Sequence, residues 1–207
     1  MYKRQVLRAE VFAGARSPLI FGDPEQWLAL LLEALRLTAQ GRHSESQALR
    51  AEAFALAPTT SGSVDGEPFA WLADADARLG PVLEAIVNGR YYWIPLQRVR
   101  QIRVEAPVDL RDLVWAPAQL AWANGGDTVA FIPTRYPGSE SSEDPQLRMA
   151  RKTDWSEQPS GLYLGLGQRM LASDSGEYPL LEIRQVTLAT VHPPDTAAAP
   201  WASPEQP

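Results

Sequence analysis

The 207-residue chain contains no cysteine and only two histidines. The first absence excludes disulfides, thiolate catalysis, iron–sulfur clusters and the usual structural zinc sites, and it fits a reducing compartment. The second leaves little for a histidine triad or a metal site. His43 falls in a turn between two helical segments and His192 in a proline-rich tail, and neither has an Asp or Ser partner arranged around it. Long apolar runs are missing too. The longest candidate, 27–32, leads straight into Glu33 and Arg36, far short of the roughly 18 residues that cross a membrane. Behind Met1–Gln5 stand neither an apolar stretch nor a small-residue cleavage site. These absences predict a cytoplasmic protein with no secretion signal and no membrane partner.

Positive charge is also scarce, the formal net charge being −6. The densest basic group, Arg98, Arg100 and Arg103, is followed by Glu105 and Asp109. Nucleic acid needs clustered cations against its phosphates, so it is not an expected partner. What the chain does have is an ordinary globular composition, 45 % apolar and 21 % charged, with length enough to bury a real core in one large domain or two small ones.

The first part reads as helical. Val6, Leu7, Val11 and Phe12 suggest a short amphipathic helix stopped near Gly14. Asp23 as cap and Pro24 in the first turn predict a second helix, with Trp27, Leu28, Leu31, Leu32 and Leu35 at helical spacing and Gly41 as its end. Ser44 then caps a third, carrying Leu49, Ala53, Phe54 and Ala57 before Pro58. Two helices with a short connection make an αα-hairpin of the kind found in helical repeats. After the polar connector 59–68, Pro68 is expected to open another helix to Leu79, with Phe69, Leu72, Ala73, Asp76 and Leu79 on one side.

From Pro81 the period changes to two. Residues 82–87 and 90–94 flank Asn88-Gly89, a pair that supplies the positive φ angles of a type I′ turn. A second hairpin is expected across Asn124-Gly125-Gly126, and a third pairing 162–171 with 178–188 across Asp174–Glu177. The fold class is therefore α+β: a helical region over 1–58, a mainly antiparallel β-rich α+β domain over 59–188, and a disordered Pro/Ala-rich tail over 189–207.

Candidate chemistry is thin. On a helix Asp74 and Asp76 would point about 200° apart. Asp76 is then expected to be buried against Arg90, Arg111 or Arg135, with Asp74 in water. Gly165-Leu166-Gly167 lacks the third glycine and the flanks of a dinucleotide loop and suggests a bulge or a close backbone approach. Thr134–Glu140 places Arg135, Tyr136 and Ser139 on a loop, with Arg169 further on. It reads either as an anion or small-ligand site, a hydrolase included, or as a Pro-Gly turn bonded to itself. Of the tryptophans in the β-rich half, Trp93, Trp115, Trp122 and Trp155, most are expected in the core, with one or two as exposed anchors. No catalytic, cofactor or metal-binding residue is assigned.

Longer stretches carry a resemblance. They are Val11–Gly14, Pro18–Pro24, Trp27-Leu28, Trp71–Pro81, Asn88–Pro95, Asp109–Trp115, Ile132–Glu140 and Gly165–Leu171. In order and without large gaps from about Val6 to about Val186, they closely resemble the ImpE/TagJ family, accessory proteins of bacterial type VI secretion systems. The resemblance implies a tetratricopeptide-like N-terminal region, an α+β C-terminal region and no active site. It also implies a helical segment of the small, TssB-like sheath subunit as partner, with a link to ClpV, the AAA+ ATPase that dismantles contracted sheath. Family members usually carry further helices upstream of Val11–Gly14, so region 1–58 is expected to lack neighbours. Part of the apolar side of its helical hairpin should then lie open as a groove for a helix. The candidate interaction residues are Trp27, Leu31, Leu49 and Phe54 on the hairpin, with Arg135 and Tyr136 on the loop as the alternative.

Overall fold

A computed structural model describes residues 2–158 and 161–190. The tail expected to be disordered lies, beyond Thr190, outside the described residues. Helix α1 (Tyr2–Phe12) is followed by a short strand β1 (Leu19–Ile20), then α2 (Gln26–Ala39) and α3 (His43–Leu56). The β-rich part begins with β2 (Gly62–Val64), β3 (Glu67–Phe69), β4 (Leu72–Asp74), β5 (Val82–Val87) and β6 (Arg90–Pro95). It continues with β7 (Val99–Val104), β8 (Trp115–Trp122), β9 (Asp127–Pro133) and a single turn of helix, α4 (Pro145–Arg148). The last strands are β10 (Thr153–Glu157), β11 (Tyr163–Gly167), β12 (Met170–Ser173), β13 (Glu177–Pro179) and β14 (Gln185–Leu188). The expected α+β class therefore holds.

Nine strands form one sheet in the order β1-β6-β5-β9-β8-β7-β14-β2-β3, antiparallel apart from the β1/β6 pair. The β5–β6 hairpin forms as its turn chemistry dictates: Asn88 and Gly89 both take positive φ, 47° and 78°, the two left-handed residues of a type I′ turn. Side-chain alternation then splits the hairpin between two cores. Tyr91 and Trp93 of β6 pack with Val11, Trp27, Leu28, Leu31 and Leu35 on the helical side. Ile94 of β6 and Leu83, Ala85 and Val87 of β5 join the sheet's own core. The apolar stripe of α2 is thus covered by α1 and β6. Trp27, Leu28 and Leu31 are buried, so among the described residues this part of the stripe is closed to a partner helix. The other side of α2 meets α3 across a polar seam, where Ser46 Oγ donates to the Ala34 carbonyl at 2.6 Å and Arg50 Nη2 donates to the hydroxyls of Thr38 and Ser46 at 3.1 Å.

Three local expectations need correction. The region from Pro68 to Leu79 is not a helix. Glu67–Phe69 and Leu72–Asp74 are strands, and the spacing of Phe69, Leu72, Ala73 and Asp76 matched a helix by coincidence. Pro68 sits on β3, the last strand of the sheet, where a missing N–H costs no ladder bond. The third hairpin is only its tip: β12 pairs with β13, whereas β11 pairs with β10, and β14 inserts between β7 and β2. Finally, neither Asp23 nor Ser44 caps its helix. Glu25 and Arg42 hold those positions without a side-chain cap bond. Glu25 instead accepts from Trp27 Nε1, Gln97 Nε2 and Arg98 Nη2 at 2.7–2.9 Å, tying the start of α2 to the β6–β7 connection.

Candidate interaction site and the buried charge network

Glu84 stands in β5 on the side that faces the helices, and it is fully buried. Helix α1 brings Arg8 to it, and the guanidinium donates through Nε and Nη2 at 2.7 and 2.8 Å. Tyr91 donates its hydroxyl to the same carboxylate at 2.5 Å and accepts from Trp93 Nε1 at 2.9 Å. From the far side Arg169 reaches Glu84 at 3.3 Å and spends its Nε and Nη2 on Asp74 Oδ2 at 2.9 and 2.5 Å. Asp74 Oδ1 accepts from the Tyr136 hydroxyl at 3.0 Å and from the Asp76 amide at 2.9 Å. Asp76 in turn takes Arg78 Nε and Nη2 and the Gly165 amide.

Three arginines therefore meet three carboxylates, all buried, which is the condition under which buried charge is tolerated. Burial pushes Glu84 upward, but attraction to Arg8 and its hydrogen bond outweigh this and leave the carboxyl below its ordinary range. Burial dominates at Asp74, raising it to about 6 against the pull of Arg169, with Asp76 adding to the rise. Arg169, which burial alone would lower, is raised by Asp74 and Glu84 and stays charged. Burial also raises Tyr91 and Tyr136, so both phenols remain donors.

Asp76 is the buried, arginine-paired carboxylate expected, but its partner is Arg78, two residues on, and not Arg90, Arg111 or Arg135. Asp74 is not solvated, because in a strand it faces Arg169. Sequence reasoning missed Arg8, Arg78 and Glu84. The available signal was Glu84 itself, a lone carboxylate inside the apolar run 82–87.

The Thr134–Glu140 loop turns most of its polar groups inward. Thr134 Oγ1 donates to the Leu113 carbonyl, and Ser139 Oγ donates to the Tyr136 carbonyl while accepting from the Gly167 amide. The buried Tyr136 ring lies against Gly165, where any Cβ would fall inside it. This is the close backbone approach expected of that glycine. So Tyr136, Ser139 and Arg169 serve the interior and do not converge with Arg135 on an open site.

Of Arg135, Tyr136, Ser139 and Arg169, only Arg135 faces a cleft. This space of about 490 Å³ lies between α1 and the ends of β8 and β9, lined among others by Val6, Phe12, Trp115, Pro133, Arg135 and Glu140. Arg135 is half-buried, and its Nη1 donates to the Arg148 carbonyl. Burial lowers its pKa, opposed by Glu140 and reinforced by Arg8. Among the described residues no carboxylate comes within ion-pair distance of it. A second cleft, of about 430 Å³, lies between the end of α3 and the β4 region, flanked by Phe54 and Trp71, 37 % and 40 % exposed. Of the hairpin candidates, Phe54 and the half-buried Leu49 thus remain at the surface. Trp93, Trp115 and Trp122 are core, while Trp155 is partly exposed.

These features define an α+β protein whose helical layer is bolted to a mixed sheet by buried ion pairs, with two partly apolar clefts beside the joint. Residues 66–187 match the family described as ImpE protein, more than half of the chain, and the chain belongs to that family. It is 52 % identical over 182 residues to the type VI secretion system accessory component TagJ of Pseudomonas aeruginosa. That similarity covers 88 % of this chain and 63 % of the relative, so the chain spans less than two thirds of that protein's length. The fold is similar to the crystal structure of a Vibrio parahaemolyticus protein, with a TM-score of 0.80 and 19 % identity, over 90 % of this chain and 71 % of that one.

Proposed function

We propose that this protein is an accessory component of a bacterial type VI secretion system, acting in the cytoplasm as a non-enzymatic adaptor. In this reading it binds a helical segment of the small, TssB-like sheath subunit and is linked to the ClpV ATPase, and the α2–α3 hairpin is its tetratricopeptide-like part. The observation that carries it is the 52 % identity to the accessory component TagJ. Support comes from the disposition of the acidic and basic side chains. Asp74, Asp76, Glu84 and three arginines satisfy one another in the interior, leaving the clefts largely to apolar side chains, as suits recognition of another protein. An anion-binding or hydrolytic role for Arg135, Tyr136, Ser139 and Arg169 has less support, because three of the four point inward.

A titration of the full chain with a labelled N-terminal peptide of the sheath small subunit from the same bacterium tests the reading, together with a pull-down against purified sheath subunits and ATPase. Saturable binding is expected. Absence of binding to the sheath subunit in both assays overturns it.

A further inference from the structure

The cleft between α1 and the β8–β9 ends holds an unbalanced cation. Two guanidinium groups border it. That of Arg8 is neutralised by Glu84 at 2.7 Å, whereas that of Arg135 donates to the Arg148 carbonyl and, among the described residues, has as its nearby carboxylate only the exposed Glu140, beyond ion-pair distance. A half-buried guanidinium has lost part of its hydration, and a carboxylate with matching geometry restores it through charge-assisted hydrogen bonds. Apart from Gln5 and Glu140 the rest of the lining is mainly apolar, with Val6 at the rim, 42 % exposed, and Phe12, Trp115 and Pro133 behind it. Such walls add nothing for a bare inorganic anion, but they suit apolar side chains placed beside the carboxylate. The α1 wall is fixed, since Arg8 clamps it to β5 and Val11 is buried in the helical core.

We propose that this cleft is the docking site for a protein segment that presents a carboxylate to Arg135 and apolar side chains to Val6, Phe12 and Trp115. This assignment rests on the adaptor reading above and locates its contact on α1 and the Thr134–Glu140 loop, away from the buried stripe of α2.

The test uses the full chain, the labelled N-terminal peptide of the sheath small subunit, and four single variants checked for unchanged melting. Arg135→Gln removes the cation. Val6→Glu replaces the apolar rim with a repelling charge. Glu140→Gln removes the rim carboxylate, and Leu110→Glu alters an exposed loop side chain that does not line the cleft. Arg135→Gln and Val6→Glu should each weaken binding roughly ten- to a hundredfold. Glu140→Gln should tighten it, an effect a purely structural role would not produce, and Leu110→Glu should leave it unchanged. A peptide with its Asp and Glu replaced by Asn and Gln should lose affinity for the native chain but not for Arg135→Gln. Binding that survives Arg135→Gln and Val6→Glu at full strength overturns the cleft and leaves the adaptor reading standing. Failure of the native chain to bind at all overturns both.

Discussion

Arg8 and Glu84 stand 76 residues apart in the sequence and meet as a two-bond ion pair that is nearly closed to solvent. The pair is the polar joint between α1 and the sheet, and Glu84 is the point at which Tyr91 and Arg169 attach to it.

Removing one member leaves the other charge buried without its partner. Glu84→Met should cost about 3–5 kcal/mol in urea unfolding. The double variant Arg8→Met/Glu84→Met should be clearly more stable than the sum of the two single losses predicts. Strict additivity in that cycle would show that the two side chains are not coupled.

The pH dependence follows from Asp74. Its folded-state value of about 6 lies above its ordinary 3.8, so the folded protein binds that proton more tightly than the unfolded chain. The resulting stabilisation is fully present below pH about 4 and is lost as pH rises through about 6. Glu84, held below its ordinary range, works in the opposite sense and loses its contribution as pH falls. The stability of the native chain relative to Asp74→Asn should therefore improve by about 2 kcal/mol between pH 7 and pH 4. A difference that stays flat over this range contradicts the shift.

Asp76→Ala leaves Arg78 and the Gly165 amide without their acceptor in a site closed to water. A loss of roughly 3–5 kcal/mol is expected, read as a lower urea midpoint with an unchanged slope. Unaltered stability together with abolished peptide binding would instead make Asp76 a contact residue.

How much of this was legible in the sequence depended on distance along the chain. The Asn88-Gly89 hairpin was, because its turn and both strands lie within fourteen residues, 82–95. The partner of Asp74 was not: Arg169 is 95 residues away, brought there by the pairing of β4 with β12. Asp74 faces inward from a strand and Asp76 from the bend after it, a placement that no helical wheel contains. The stripe Trp27–Leu28–Leu31–Leu35 is legible as apolar from its helical spacing. What covers it, Trp93 and Val11, depends on the fold of other segments. On the loop, Tyr136 gave no local sign of inwardness except Gly165, the one residue type whose missing side chain leaves room for its ring.

Gly165→Ala tests that fit. The added methyl would collide with the Tyr136 ring, and overpacking of this kind costs about 1–3 kcal/mol. Calorimetry should show a depressed melting temperature. A melting temperature equal to that of the native chain would mean the ring has space to move.

The β5–β6 hairpin is a party wall, one face finishing the helical core and the other the sheet core. Neither compartment can be emptied without opening the other, so the two should melt together. Amide protons in the middle of α2 and of β5 should then report one common opening free energy in native-state exchange, that of opening the whole molecule. A docked segment in the cleft beside α1 would slow both alike, and would be felt far from where it touches.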